Sequence, residues 1–189
     1  MDYKQQIMLG FAENTRLETE RLILRPLTLA DAQDMFEYAQ DAETTEHVFP
    51  QHQSLAETRE IVAGVFMADP LGKYALEEKA SGKMIGTIDL RVDPVAMRGE
   101  IGYALNKSRW GQGLMPEAAM AILALGFDTL KLVHIQAFHN LANEKSGRVM
   151  QKIGMKKEAE LPLSRLWKGK PVGEAMYGIT SADWFKRVM

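Results

Sequence analysis

The chain has 189 residues, 46% of them hydrophobic and 25% charged, the size and balance of one compact domain that can bury its own core. With 25 acidic against 23 basic side chains the net charge is -2, which removes any general attraction to a polyanion such as nucleic acid and leaves room only for a local anion site. The absence of cysteine excludes a disulfide framework, a thiolate zinc site, an iron–sulfur cluster and a cysteine nucleophile, and fits a reducing compartment.

Residues 1–16 mix charged and amide side chains without the apolar stretch of a signal peptide, and read as an N-terminal arm. From Leu17 to Arg25 the pattern LETERLILR predicts a strand, ended by Pro26. Thr28 with Asp31 then opens a helix to about Ala39, with Leu29, Ala32, Met35, Phe36 and Ala39 on one face. Residues 41–53 read as loop. Ser54 with Glu57 forms a capping box for a second helix, apolar at Leu55, Ile61, Val62, Val65 and Phe66, which stops before Pro70. Three strands follow, at 73–79, 83–92 and 99–105, predicted as antiparallel neighbours, the first two joined by the turn Ala80-Ser81-Gly82.

After a polar loop, Pro116 as a first helical position and Glu117 beside it begin a helix that is apolar nearly all round to about Leu130, and so is buried on several sides. Its run AAMAILALGF, residues 118–127, is shorter than the roughly 17–25 residues that cross a bilayer, so the expectation is a cytoplasmic protein with no membrane partner. A strand at 133–139, a helix capped by Asn143 and ended by Gly154, and two strands around 155–166 and 174–180 complete the order. That order predicts a mixed α/β fold, a sheet covered by helices, in one domain over 1–189.

Charge is unevenly placed: residues 1–60 carry a balance of -7 and residues 144–170 one of +5. Either these are two solvated faces or they are opposite electrostatic sites for two ligands. The loop NKSRWGQGLMPEAA, 106–119, joins a strand to the buried helix, where α/β sheets usually bind ligands. Gly111 and Gly113 bracket Gln112 just ahead of that helix, so that consecutive backbone N–H groups and the helix dipole suit a phosphate; an ordinary tight turn has the same spacing. No Gly-Lys-Ser/Thr follows for a P-loop, and Pro116 stands where a dinucleotide fingerprint needs its third glycine. His134 and His139 point to opposite faces of one strand and His47 and His52 sit in a loop, so no metal-ligand spacing emerges, nor is there a Gly-x-Ser-x-Gly elbow. Trp167 and Trp184 read as packing residues.

IGYAL, then WGQGLMPEA, then NEKSGRVMQKIGM beginning thirty residues after the second glycine, together with LETERLILRPLTLADA, resembles the GNAT acetyltransferases and within them the RimJ/RimL-type branch. The resemblance runs from about Arg16 to Trp184 and implies a mostly antiparallel sheet with helices on both faces. The family's phosphate-loop pattern maps onto Trp110, Gly113 and Met115, the last departing from the usual Gly or Ala. The resemblance further implies acetyl-CoA as cosubstrate without a metal, its pyrophosphate on the amides of Gly111, Gln112, Gly113, Leu114 and Met115, and its pantetheine against Ala104 and Leu105. Asn143 matches the cofactor-contacting asparagine, and Ser146 the serine that protonates or hydrogen-bonds the CoA sulfur. Met150 stands where other members carry a tyrosine acid, and the branch's acidic residue near the end aligns with Arg165.

For the base, Glu100 at the start of GEIGYAL is the first candidate and Asp89 on the adjacent strand the second; each has a structural alternative, as does Ser146 in packing the helix start. The resemblance implies acetyl transfer to an amine, either a peptide N-terminus such as that of a ribosomal protein or a small cationic amine, and leaves a homodimer open. A CoA-binding module without catalysis is the alternative function. The acidic first sixty residues, with the loop around Phe49, are expected to flank the acceptor and attract a cation.

Overall fold

Strands β1 (Leu17–Glu18), β2 (Leu22–Arg25), β3 (Lys73–Glu78), β4 (Met84–Asp93), β5 (Arg98–Leu105), β6 (His134–Asn140), β7 (Lys156–Trp167) and β8 (Lys170–Thr180) form one sheet in the order β1-β2-β3-β4-β5-β6-β8-β7. The computed structural model describes residues 2–187. Neighbours are antiparallel throughout except β5 and β6, so the sheet is mixed and mostly antiparallel, as expected. Leu24, Leu76, Ile88, Leu90, Ile101 and Leu105 pack on one face against helices α5 (Leu114–Ala124) and α6 (Glu144–Lys152). Ala75 and Ala104 belong to the other face, beneath Met35 and Tyr38 of α2 (Ala32–Ala39) and Val62 at the end of α4 (Leu55–Ile61).

Residues 1–16, expected as an arm, instead carry helix α1 (Tyr3–Glu13). Asp2 opens it with a capping box: its carboxylate accepts from the Gln5 N–H at 2.8 Å while the Gln5 side chain accepts from the Asp2 N–H at 3.4 Å. Ile7 and Phe11, one turn apart, are buried in the main core, and the Tyr74 hydroxyl donates to the Asn14 carbonyl at 2.8 Å. Asp2→Ala is expected to cost about 1 kcal/mol, a fall of about 2–4 °C in Tm for a chain of this size. An unchanged melt would mean that α1 contributes nothing to the core.

Three other expectations change. The strand expected over 17–25 is a hairpin, Leu17 opposite Leu24, because Glu117 from α5 captures its turn: Glu117 Oε1 accepts from Thr19 Oγ1 at 2.6 Å and from the Arg21 N–H at 2.8 Å. The loop at 41–53 contains a one-turn helix, α3 (Ala42–Thr45), capped by Asp41. Helix α5 begins at Leu114 rather than Pro116; the first intrahelical bond runs from the Glu117 N–H to the Gly113 carbonyl at 3.1 Å, so Pro116 in the first turn forfeits no bond. A last helix, α7 (Ser181–Lys186), buries Trp184, whose ring stacks on Phe127 and whose indole N–H donates to Asp128 at 2.9 Å.

Candidate active site

The sheet is opened at one place. β4 and β5 stay paired from Gly86–Leu105 to Asp93–Arg98, whereas β5 and β6 pair only over Arg98–Glu100 and His134–Gln136. From there β6 is held by β8 along its whole length, so the β6 side of β5 from Ile101 to Leu105 has no strand partner. An extended ligand can add to such an edge as a strand does. The first turn of α6 closes the far side of the gap. There Tyr103 of β5 hydrogen-bonds Ser146, 2.9 Å between hydroxyl oxygens and 3.0 Å from the phenol to the Ser146 carbonyl.

Two cavities meet at this gap. One, about 740 Å³, runs from Tyr103, Ala104 and Leu105 past Trp110, Gly111, Gly113 and Met115 to Arg148 and Lys152. The other, about 490 Å³, lies over Thr87, Asp89, Arg91, Glu100 and Gly102 and is bounded by Val48, Phe49, Phe138, His139, Arg165 and Glu174. His47, Val48, Tyr103, Ala104, Asn143 and Ser146 line both. Ser146 therefore stands at the junction of a long groove and a polar chamber.

The groove ends on the glycine loop. Gly111 and Gly113 both adopt φ +77°, the left-handed region that turns successive N–H groups toward one point. A Cβ at Gly111 would meet only open space. Among the described residues, the N–H groups of Gly111, Gln112, Gly113, Leu114 and Met115 donate to nothing within the chain. Five free donors at the start of a long helix fit a diphosphate. The loop is braced from β2: Arg21 Nη1 donates to the Gln112 carbonyl at 2.9 Å and Arg21 Nε to Glu117 at 2.7 Å. Partial burial opposes ionisation of Glu117, yet the bonds from Thr19 and Arg21 hold its carboxyl below the usual range. Trp110 donates its indole N–H to the Leu105 carbonyl at 2.8 Å and lies under the Lys145 ammonium, 4.2 Å from the ring centroid, so it forms a wall of the groove. The side chains of Leu114 and Met115 point into the core, which leaves the departure at Met115 without effect on the donor row.

Asn143 caps α6, its side chain accepting from the Ser146 N–H at 3.3 Å, and lines both cavities. Met150, at the position of the family tyrosine, is buried in the core. Burial pushes the Tyr103 phenol well above its ordinary pKa, the Ser146 hydrogen bond opposing, so it stays a neutral hydrogen-bonding group.

In the chamber, Glu100 is not a free carboxylate. Arg91 Nη2 donates to its Oε1 at 2.7 Å and Gln136 Nε2 to its Oε2 at 3.0 Å. Asp89 accepts from Arg91 Nη1 through Oδ2 alone. Burial pushes the Asp89 pKa up to about 6, against Arg91 and Lys73 and with Glu100 adding. Arg165 pairs with Glu174 at 2.8 Å, and the Trp167 indole N–H donates to the Glu46 carbonyl at 2.7 Å, which ties the β7–β8 turn to the loop after α3. Among the described residues of the acidic first sixty, only His47, Val48 and Phe49 line the chamber; its carboxylates are Asp89, Glu100 and Glu174. Glu43 lines the groove instead, paired with Lys145, and Asp41 pairs with Lys107 outside both cavities. His134 bonds Glu158 outside both cavities, while His139 lines the chamber with Nδ1 on the Asn140 carbonyl.

Arg21, Glu117, Tyr103, Arg91 and Gly102 were missed in the sequence. Tyr103 sits inside the quoted GYAL, and alternation along β5 could have pointed it toward the α6 face; the Arg21–Glu117 brace spans 96 positions and leaves no local signal.

A family model described as an acetyltransferase (GNAT) domain matches residues 21–156. The uncharacterized N-acetyltransferase p20 of Bacillus licheniformis is 26% identical over 173 residues, 89% of this chain and 97% of that protein. An acetyltransferase of the GNAT family from Bacillus anthracis superposes with a TM-score of 0.81 at 25% identity, covering 88% of this chain and 99% of the other. The RimL ribosomal L7/L12 α-N-protein acetyltransferase, solved in complex with coenzyme A, shares the fold with a TM-score of 0.75 at 19% identity, over 86% of this chain and 95% of its own.

Proposed function

The chain belongs to the GNAT family of N-acetyltransferases, and from that premise we propose that it moves acetyl from acetyl-CoA directly to a cationic primary amine, a peptide N-terminus ahead of a polyamine or amino sugar. The observation that carries this reading is the open β5–β6 edge, which joins a groove ending in free N–H groups to a polar chamber, with Ser146 at the junction. Acetyl-CoA supplies the activated acyl group. In this assignment Gly111, Gln112, Gly113, Leu114 and Met115 hold the diphosphate through their N–H groups, the β5 edge at Ala104 and Leu105 pairs with the pantetheine amides, and Trp110 and Asn143 line the groove. Ser146 donates a proton or hydrogen bond to the leaving sulfur, held in place by Tyr103.

Three carboxylates against two guanidiniums give the chamber a net negative charge at neutral pH, which favours a cationic acceptor. A peptide N-terminus is supported further by a relative in Bacillus subtilis, YdaF, provisionally named as a ribosomal N-acetyltransferase, 27% identical over 104 residues, 54% of this chain and 57% of its own. The test is thiol release from acetyl-CoA with peptides, polyamines and amino sugars. Turnover is expected with positively charged primary amines, with the apparent acceptor KM rising as salt screens the chamber. Preference for an acidic acceptor would reverse the electrostatic reading, and tight acetyl-CoA binding without turnover on any amine would make the chain a binding module.

A further inference from the structure

We infer that Asp89 takes the proton from the acceptor amine, and that Arg91, Glu100 and Gly102 position it for that purpose. The inference rests on the acetyl-transfer reading above and assigns the base within it. Asp89 lies opposite Gly102 in the β4–β5 register, next to the point where β6 leaves β5, and it lines the chamber but not the groove. Its two oxygens are not equivalent. Oδ2 accepts from Arg91, whereas Oδ1 accepts from no group among the described residues and lies where a Cβ at position 102 would come within 2.7 Å. The missing side chain of Gly102 is therefore the space in which that free oxygen sits. Arg91 spans Asp89 and Glu100, using Nη1 for one and Nη2 for the other, and Gln136 holds the second Glu100 oxygen. Glu100 thus anchors the guanidinium that orients Asp89, each of its oxygens already accepting a hydrogen bond from the chain, whereas Oδ1 of Asp89 accepts none among the described residues.

The charged groups around Asp89 are Arg91 on its own strand, Lys73 on β3 and Glu100 on β5, with His47, His139, Arg165 and Glu174 across the chamber. Lys73 is committed to Asp69 and to the Val65 carbonyl, and Arg165 to Glu174. Burial makes Asp89 a stronger base than an exposed carboxylate while leaving it ionised at neutral pH. The protons balance as follows. The ammonium loses one proton to Asp89, its lone pair forms the N–C bond, and the C–S bond breaks with its electron pair on sulfur. Sulfur takes a proton from Ser146, the second nitrogen proton replaces it, and Asp89 releases one proton to solvent.

The test compares wild type, Asp89→Asn and Gly102→Ala. Wild-type kcat/KM is expected to carry an ascending limb near pH 6, the titration of Asp89. In Asp89→Asn that limb disappears and kcat/KM at pH 7 falls about 100-fold for an alkylamine. The deficit narrows below tenfold, roughly, for methoxyamine, which is already neutral at that pH and needs no base. Stabilisation by acetyl-CoA is retained. Gly102→Ala keeps the carboxylate but crowds Oδ1, and is expected to shift the limb to higher pH. Without any acetyl-CoA, carbon-13 NMR should show one aspartate titrating near pH 6 that Asp89→Asn removes. A limb and rate unaltered in Asp89→Asn, or an Asp89 carboxyl titrating in the ordinary range, would overturn the role while leaving acetyl transfer standing. Wild type that turns over no amine would overturn the transfer reading and this role with it.

Discussion

Acetyl-CoA at about 100 times its Kd is expected to raise the wild-type melting temperature by about 5–10 °C and to leave that of Gly113→Glu unchanged. The wild-type figure follows from linkage, about 2.7 kcal/mol at that excess, and from the response of about 2–4 °C per kcal/mol for a chain of this length. Two effects act together in the variant. Gly113 caps α5 at φ +77°, where any L side chain costs about 1–2 kcal/mol, so the loop is driven away from the conformation that points its N–H groups together. The new carboxylate also competes for those free donors and repels the diphosphate. Gly113→Ala separates the effects: its Cβ would meet only Arg21 Nη2 at 3.6 Å, so it keeps room for the ligand and bears the backbone cost alone. A smaller but measurable shift is expected there. Equal shifts in wild type and Gly113→Glu would remove the loop from the binding site.

Ser146→Ala is expected to lower kcat by about 10²–10³ while acetyl-CoA affinity stays within a factor of about two, since a bond that strengthens only as sulfur gains charge contributes little to the ground state. The backbone around the site does not depend on the hydroxyl: the Asn143 cap acts on the Ser146 N–H, and Tyr103 can still donate to the Ser146 carbonyl. Tyr103→Phe leaves Ser146 in place without its partner, so a smaller fall in kcat is expected, again with little change in KM for acetyl-CoA. A loss confined to KM in Ser146→Ala would mean that the residue binds rather than donates.

Asp89 also sets a sign for stability against pH that differs from the other shifted carboxylates. Its folded pKa lies near 6, above the unfolded value, so its contribution falls as pH rises from about 4 to about 6 and stays lost above that. For Asp31 and Glu117, burial opposes ionisation but hydrogen bonds from Arg25 and Thr28, and from Thr19 and Arg21, leave both pKa values lowered. Their contribution is present above the unfolded pKa and is lost on acidification. Subtracting the Asp89→Asn profile from that of wild type isolates the opposite slope.

Much of this site was legible because its signals are local. The capping residues Ser54 and Asn143, the turn at Ala80-Ser81-Gly82 and the glycine pair before α5 each act over a few residues, and each lies where its pattern placed it. Helix α1 shows the limit of composition: Ile7 and Phe11 at i, i+4 and the Asp2–Gln5 box were present in a segment whose amide and charged residues suggested solvent. The Leu17–Arg25 strand shows another limit, since its turn forms around a carboxylate on α5.

By itself the sequence determined the order of strands and helices from β3 to β8, the burial of α5, the row of N–H groups at Gly111–Met115 and the nearness of Ser146 to the cap at Asn143, because backbone conformation, capping and side-chain periodicity are governed by neighbours within about one helical turn. Only the tertiary structure decided which carboxylate is free. In the sequence both are acids on adjacent strands, with Glu100 the first candidate and Asp89 the second; the structure separates them the other way, because Arg91 and Gln136, the latter from a strand that reaches β5 only at its first rungs, each bond one Glu100 oxygen while Gly102 leaves one of Asp89 uncovered. The same holds for the sign of the chamber, which comes from Asp89, Glu100 and Glu174 rather than from the acidic first sixty residues. Whether a charged group is spent or available depends on partners brought from distant parts of the chain, and pairing between strands and helices, not local pattern, chooses those partners.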